Sequence, residues 1–496
     1  MILEIINYIL LKSAQAFHKT LAPNDLHRQT RSETWTCSYE ALSFHAPRVC
    51  TARTRNIEMF QDIIISSFVT LLLGIGAQAY LWLRCLNAPE VPGIPHGYTR
   101  VHGVLIKLDE LTHPGGLDLL ALANGADATH LFDAYHWRAG ARERAWALAT
   151  KGKGIALPPL SPVHNDWYNE LRAFAKAQKH DLTMPISQAF YALLFIMMQI
   201  YSIRAFIRLE PFGALWGCLA MLTGFRLSHD GSHASVSRRP FVNAAAAVVT
   251  SPWIYCPGFW LYNHVSMHHS YTNSEKDPDH SHLELINWFD HAKDMKDMKT
   301  KRCRLHTARL AFGMFCFTVL TFFPTPFMAI YHARRSRAFR AVLERFAIRD
   351  SLHYALLFWC WSWPVYWAPG ASIKVATMLL VPNIVLPSLY FFAVTQVNHL
   401  HEQCKPSTTV DCWFAEQVKT SQDFAVTSWL SSFVTGGLNC QSVHHVAPNV
   451  HNSWLPLLRP RLMDVLGRHD IAKNEPFESW TDAFQSTQKL LTMANT

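Results

Sequence analysis

Long uncharged stretches alternate with short polar ones through most of this chain. A helix needs about 20 residues to cross a hydrocarbon core of ~30 Å. Residues 63–83, 185–203, 310–331 and 375–397 are uncharged over about that length, and 211–225 is slightly short. Residues 352–367 form a shorter stretch whose Trp359, Trp361, Trp363 and Trp367 suit an interfacial belt. Residues 241–260 are also uncharged, but Pro252, Pro257 and Gly258 interrupt them, and they are not expected to cross.

Histidines gather in the polar gaps: His229 and His233, then His264, His268 and His269, then His399, then His444 and His445 with Gln441. Side chains four apart on an α-helix share a face. The pairs His229/His233 and His264/His268 are therefore each expected to present two nitrogens to one point, with His269 and His445 reaching a second. If the clusters share one site they lie on one side of the membrane, and an even number of crossings separates them. Residues 185–203 and 211–225 then form one hairpin, turning near Arg208 and Glu210, and 352–367 with 375–397 form the other. Residues 310–331, which contain Pro324 and Pro326 and have basic runs on both flanks, are expected to be re-entrant or interfacial. The expected fold is a multi-span α-helical membrane protein with four core transmembrane helices in two hairpins and a histidine cap on the cytosolic side.

Composition strengthens this picture. Half of the 496 residues are hydrophobic and 16% are charged, low for a soluble enzyme of this size. The net charge of +9 is concentrated in two runs, Lys293, Lys296, Lys299, Lys301, Arg302 and Arg304, and Arg334, Arg335, Arg337 and Arg340. Such runs beside apolar spans mark the cytoplasmic face and meet anionic lipid. No nucleic-acid recognition motif accompanies them. Eleven cysteines without a CxxC pair indicate neither a zinc ribbon nor a disulfide framework, but free thiols in a reducing compartment. Eight imidazoles and one amide suffice for two metal ions, and nitrogen-rich coordination suits iron better than calcium or magnesium.

Between the first two spans, roughly 97–175, the chain is polar. It holds His113-Pro114-Gly115-Gly116, then Gly125-Ala126-Asp127-Ala128-Thr129, then Leu131-Phe132-Asp133-Ala134-Tyr135-His136. This block resembles the cytochrome b5 haem-binding domain, a small α+β unit. The resemblance implies axial ligation of haem b by His113 and His136, 23 residues apart. Bis-imidazole ligation saturates the iron, so such a haem carries electrons and does not bind oxygen. One departure is the segment before His113, which is short, with His102-Gly103-Val104-Leu105-Ile106 in place of a fuller opening strand. Residues 1–58 carry no nameable motif and stay open between an extension and a start at Met59; 59–85 form an N-terminal span of open orientation.

His229-Asp230-Gly231-Ser232-His233, His264-Val265-Ser266-Met267-His268-His269 and Gln441-Ser442-Val443-His444-His445 resemble the three histidine boxes of membrane fatty acyl desaturases, over about 185–466, with 467–496 as a tail. Glutamine at the head of the third box, with a fused cytochrome b5-like domain, resembles the front-end subgroup, which inserts a cis double bond toward the carboxyl end. The resemblance implies a di-iron centre held by His229, His233, His264, His268, His269, His399, His444 and His445, with Gln441 added; His401 is the alternative to His399, and His451 is open. Asp230, Asn273, Asp277, Asp279 and Asn439 are expected to orient the imidazoles. His280, His282, His291, His332 and His353 are expected to be hydrogen-bonded surface residues. Implied partners are an acyl-CoA or acyl-phospholipid, O2, a cytochrome b5 reductase and membrane lipid, in the endoplasmic reticulum with haem domain and boxes facing the cytosol. Alternatives are a sphingolipid long-chain-base desaturase, a hydroxylase or acetylenase on the same scaffold, and a non-catalytic haem electron carrier. The position of the new double bond, chain length, acyl carrier and oligomeric state are not legible.

Overall fold

The computed structural model describes residues 46–86, 93–278, 336–404 and 412–493, apart from 152, 180, 254, 255 and 275. The segment 310–331, Asp279, His280, His282, His291, His332, the run from Lys293 to Arg304, Arg334 and Arg335 lie outside them. The chain divides into two units, Met1–Ile65 and Ser66–Thr496. The first contributes the beginning of the helix Ala46–Leu86; everything below concerns the second.

Among the described residues, Met59–Leu81, Ile186–Ile207 and Ile373–Asn398 are helices long and apolar enough to cross a membrane, and Pro211–Gly224 is a shorter apolar one. Ile186, Phe190, Met197 and Ile200 on the second of these are exposed. A run of large apolar side chains facing outward needs an apolar solvent. This is a membrane protein.

Helix Ile186–Ile207 ends at Arg208, and the chain reverses through Leu209, at φ 58°, into Pro211–Leu215 and Trp216–Gly224, which pack back along it. The turn falls where Arg208 and Glu210 predict it. A second pair follows: Arg337–Ser362 runs into a π-turn at Trp363–Trp367, and Ile373–Thr395 returns to pack on Trp216–Gly224. Trp363 Nε1 donates to the Ile207 carbonyl at 2.9 Å, so both reversals lie at one end. The opposite ends lead into His229 and His399. In the middle, Asn383 Oδ1 accepts from the Gly217 amide at 2.5 Å and its Nδ2 donates to the Gly213 carbonyl at 2.8 Å. A Cβ on Gly217 would lie 2.6 Å from the Asn383 carbonyl oxygen, so this close approach requires glycine.

The tryptophans behave differently from the expected belt. Trp359 and Trp363 are buried and stacked with centroids 5.3 Å apart, and Trp359 Nε1 donates to Ser66 Oγ at 3.0 Å. Their indole N–H groups find protein partners, so they fill the interior instead of anchoring at the lipid surface. Residues 241–260 do not form a span: the helix Pro240–Ala246 gives way to turns, and a second short helix starts at Pro257.

The polar insert opens with an antiparallel hairpin, Tyr98–Val101 paired with Val104–Lys107. His102 (φ 47°) and Gly103 (φ 78°) form its two-residue tip, both at positive φ as a tight hairpin turn demands. The short opening segment is thus a complete hairpin. Helices Leu117–Ala123, Thr129–Tyr135, Ala141–Ala149 and Pro162–Ala177 follow. Val101, Ile106, Ala128, Phe132 and Trp146 form their core. This unit leans on the rest of the chain: Arg345 Nε lies 2.7 Å from Asp118 Oδ1, and Arg337 donates to the Ile94 carbonyl at 3.1 Å.

Candidate metal centre

All eight boxed and inter-box histidines meet in one buried place. His229 and His233 lie on and just after the turn Ser228–Ser232 that continues the Trp216–Gly224 rod, and His399 follows the rod ending at Thr395. His444 and His445 ride on the helix Gln441–Val446. Asp423 caps that helix, its Oδ1 accepting from the Ser442 amide at 2.9 Å and Oδ2 from Ser442 Oγ at 2.8 Å. The approach to the helix is set by Gly437 at φ 100°, where a Cβ would collide with the Asn452 carbonyl.

The imidazoles form two groups, His229, His233, His264 and His444, and His268, His399 and His445, each with ligand atoms within 4.8 Å of one another. His269 sits between them, its ring centroid 4.6 Å from that of His233 and 4.4 Å from that of His445. The adjacent His444 and His445 divide as spacing predicts. His264 and His268 do not share one point, contrary to the α-helical expectation. The reason is local: Leu261–His268 is a π-helix. Its i→i+5 repeat carries His264 toward His269 and turns His268 to the second group.

The outward ring nitrogens are held by protein. His229 Nδ1 lies 3.2 Å from Asp230 Oδ1, His268 Nδ1 2.9 Å from Asp277 Oδ2, His399 Nδ1 3.0 Å from the Thr420 carbonyl, and His445 Nδ1 3.0 Å from Gln417 Oε1 and 3.1 Å from Thr272 Oγ1. Asp230 and Asp277 thus stand where the sequence places them. Asn273 instead ties backbone, donating to the carbonyls of His399 and Cys404 at 3.1 and 2.8 Å, and Asn439 donates to the Phe424 and Ala425 carbonyls. Thr272, Gln417, Thr420 and Asp423 carry no local motif that could have revealed them. His451 Nε2 lies 3.1 Å from Asp230 Oδ2, which makes it a support of that carboxylate. His401 is occupied by Ser486 Oγ at 2.9 Å and by the Val397 carbonyl, so His399 is the member of the pair that faces the groups. His353 is buried, not on the surface, with Nδ1 3.1 Å from Ser251 Oγ, and joins neither group.

The inward side fits metal. Nε2 of His233 and His445, and both ring nitrogens of His269 and His444, are buried without a hydrogen-bond partner. Burial, reinforced by neighbouring imidazoles, holds His233, His264, His269, His444 and His445 well below the ordinary histidine range, so each offers a neutral lone pair. Several unpaired buried donors converging at one place are costly unless a cation satisfies them. Gln441 turns Nε2 to His399 Nε2 at 3.1 Å and accepts from Asn398 Nδ2 through Oε1 at 3.1 Å. In this orientation it orients His399. Beside the imidazoles lies a cavity whose other wall is apolar, made by Trp260, Phe391, Val394 and Leu438. Phe391 and Val394 belong to the membrane-length helix Ile373–Asn398.

A second histidine pair stands in the N-terminal unit. Two imidazoles sharing a metal at roughly 2 Å per nitrogen have centroids about 6 Å apart, and those of His113 and His136 are 6.0 Å apart at 85°. His136 Nδ1 lies 2.7 Å from the Phe132 carbonyl, leaving Nε2 for a metal. A Cβ on Gly115 would meet His113 Cε1 at 2.9 Å, so glycine lets that ring rest against the backbone. Burial, then the neighbouring His136, take His113 down to about 4.

A membrane protein that buries two groups of neutral imidazoles at the ends of its apolar helices has the centre of a metal-dependent oxidoreductase. Residues 210–477, more than half of the chain, match the model of the fatty acid desaturase family, and the chain belongs to that family. The family uses a di-iron centre, a fatty acyl lipid and O2. The chain is 25% identical to an acyl-lipid omega-13 desaturase of Chlamydomonas reinhardtii, over 78% of this chain and 91% of that protein. It is 26% identical to an acyl-lipid (8-3)-desaturase of Mortierella alpina, over 69% and 81%, and 25% identical to a Delta(8)-fatty-acid desaturase of Borago officinalis, over 77% and 86%. No solved structure matches it.

Proposed function

We propose that this protein is a front-end desaturase that places a cis double bond toward the carboxyl end of a polyunsaturated acyl chain, with electrons relayed by its own cytochrome b5-like domain. The observation that carries this is the pair of imidazole groups opening on an apolar cavity, with the His113/His136 pair held in the same unit.

His229, His233, His264 and His444 hold one iron and His268, His399 and His445 the other, with His269 between; Asp230, Asp277, Thr420 and Gln417 hold their rings. With iron on Nε2, each engaged imidazole keeps its proton on Nδ1 and donates it outward. Gln441 keeps His399 in place, and turned over it would offer its oxygen to the second iron. The iron pair, with O2 as oxidant, supplies the power to remove hydrogen from an unactivated methylene, which no acid–base side chain has. Trp260, Phe391, Val394 and Leu438 bind the chain, exclude water and hold one carbon pair against the imidazoles. His113 and His136 hold haem b. The rods of the two hairpins form four core spans, with boxes and haem domain on the cytosolic face of the endoplasmic reticulum and a cytochrome b5 reductase as electron source.

The test is expression in cells that lack polyunsaturated fatty acids, fed a panel of them, with mass spectrometry of total acyl chains and sphingoid bases and His445→Ala as control. A fed acid that gains one double bond nearer its carboxyl end, absent in the control, supports the proposal. An altered sphingoid base with unchanged fatty acids would overturn it in favour of long-chain-base desaturation.

A further inference from the structure

Tyr135, His136 and Trp137 are consecutive, and they face two domains. The middle residue turns to His113. The outer two reach the desaturase part: Tyr135 Oη lies 2.9 Å from His233 Nδ1, and Trp137 Nε1 donates to Asn449 Oδ1 at 2.7 Å. Asn449 closes the clamp, its Nδ2 donating to the Tyr135 carbonyl at 2.9 Å, and it lies four residues beyond His445. His233 and Trp137 are buried. The Nδ1 partners of His229, His268, His399 and His445 all come from residues 230–420. His233 takes its partner from the other domain.

We propose that Tyr135 is the positioning residue that couples the haem site to the metal centre. It rests on the haem-domain assignment above and names the contact through which that domain works. From the His136 ring the connection runs along one peptide unit, through the phenol and across a single hydrogen bond to an imidazole of the first group, with no gap in between. Iron on His233 Nε2 obliges Nδ1 to carry the proton, and Nδ1–H then donates to Tyr135 Oη. The phenol thereby fixes the tilt of the His233 ring and the distance between the two centres in one contact, while the Asn449 clamp keeps it from swinging away. In each transfer one electron leaves the haem iron, which goes from ferrous to ferric, and one ferric iron of the histidine groups becomes ferrous. Tyr135 gains and loses nothing and keeps its O–H bond, and a flavoprotein reductase restores the haem.

The experiment uses the full chain in membranes, as wild type, Tyr135→Phe and His445→Ala. Haem content is read from the absorption spectrum, iron content by elemental analysis, and the reoxidation of reduced haem by stopped-flow absorbance on mixing with O2 and a fed acyl substrate. Phenylalanine keeps the ring and its packing and removes only the hydroxyl. The expected result is unchanged haem content and haem reoxidation per bound iron slowed about 10- to 100-fold, the range for losing a partner that orients a metal-bound imidazole. Reoxidation per iron within twofold of wild type would overturn the role of Tyr135 while leaving the relay intact. A wild-type protein with no haem band, or with haem that reoxidises no faster than in His445→Ala, would refute the relay itself. The two failures are read in different samples.

Discussion

Asp277 offers a direct test of how the second imidazole group is built. Its Oδ2 lies 2.9 Å from His268 Nδ1 and accepts from the Asn273 amide at 2.9 Å, and the two side chains are 5% and 1% exposed, so solvent screens the contact little. Asp277→Asn keeps an oxygen for both donors and removes only the charge. A carboxylate behind a ligating imidazole raises the basicity of the nitrogen facing the metal, and its loss typically costs about 10- to 100-fold in metal affinity. That corresponds to roughly 1.4 to 2.8 kcal/mol. The variant is purified as the full chain, iron per chain is measured by elemental analysis across a series of chelator concentrations, and product is measured in parallel. One iron should leave at roughly tenfold lower chelator concentration or less, with the other retained. An unchanged chelation curve with unchanged product would show that the charge on Asp277 plays no part in holding His268 to metal.

Three further outcomes follow from the same geometry. His399→Ala should lose one iron per chain, whereas His401→Ala, which removes a side chain already engaged by Ser486 and Val397, should keep both and lose about 1 to 3 kcal/mol of stability; equal iron loss in the two variants would refute the assignment. Leu438→Trp, which fills the apolar wall of the cavity, should abolish product while iron stays bound, and normal turnover with full iron would exclude this cavity as the acyl site. In the N-terminal unit, burial alone would raise the Asp133 carboxyl, but hydrogen bonds from His102 and Arg142 outweigh it and hold it below the ordinary value. A lowered folded value means stability that is complete above about pH 4 and is lost as pH falls through that folded value. Arg142→Met should therefore cost about 3 kcal/mol near neutral pH and much less near pH 2 to 3 in thermal unfolding; an equal loss at both would contradict the linkage.

What could be read in the sequence follows from how local each signal is. The histidine clusters, the turn at Arg208 and Glu210 and the rods that begin at Ile186 and Ile373 depend on near neighbours, and they appear where composition and spacing put them. Asp230 and Asp277 were accessible for the same reason, being one and nine residues from their imidazoles. Gln417 was not, because it meets His445 across 28 residues and Thr272 across 145. Tyr135 was hidden more deeply, since its partner His233 is 98 residues away in another domain. The tryptophans misled for a different reason: amphipathic rings suit a lipid interface and a buried hydrogen bond equally well, and only packing against Phe206 and Ile207 decides.

The π-helix at Leu261–His268 makes the second box a matter of phase. An α-helix advances one residue by roughly 100°, and the wider repeat here lets His264, His268 and His269 keep step with different groups. Removing one residue between His264 and His268 would return the segment to α-helical winding and swing everything after it by about that angle. Ser270, Thr272 and Asn273 would rotate with it, and Thr272 would leave His445. The spacing of this box is therefore counted in whole residues, and a chain that lengthens freely in its surface loops has no slack here.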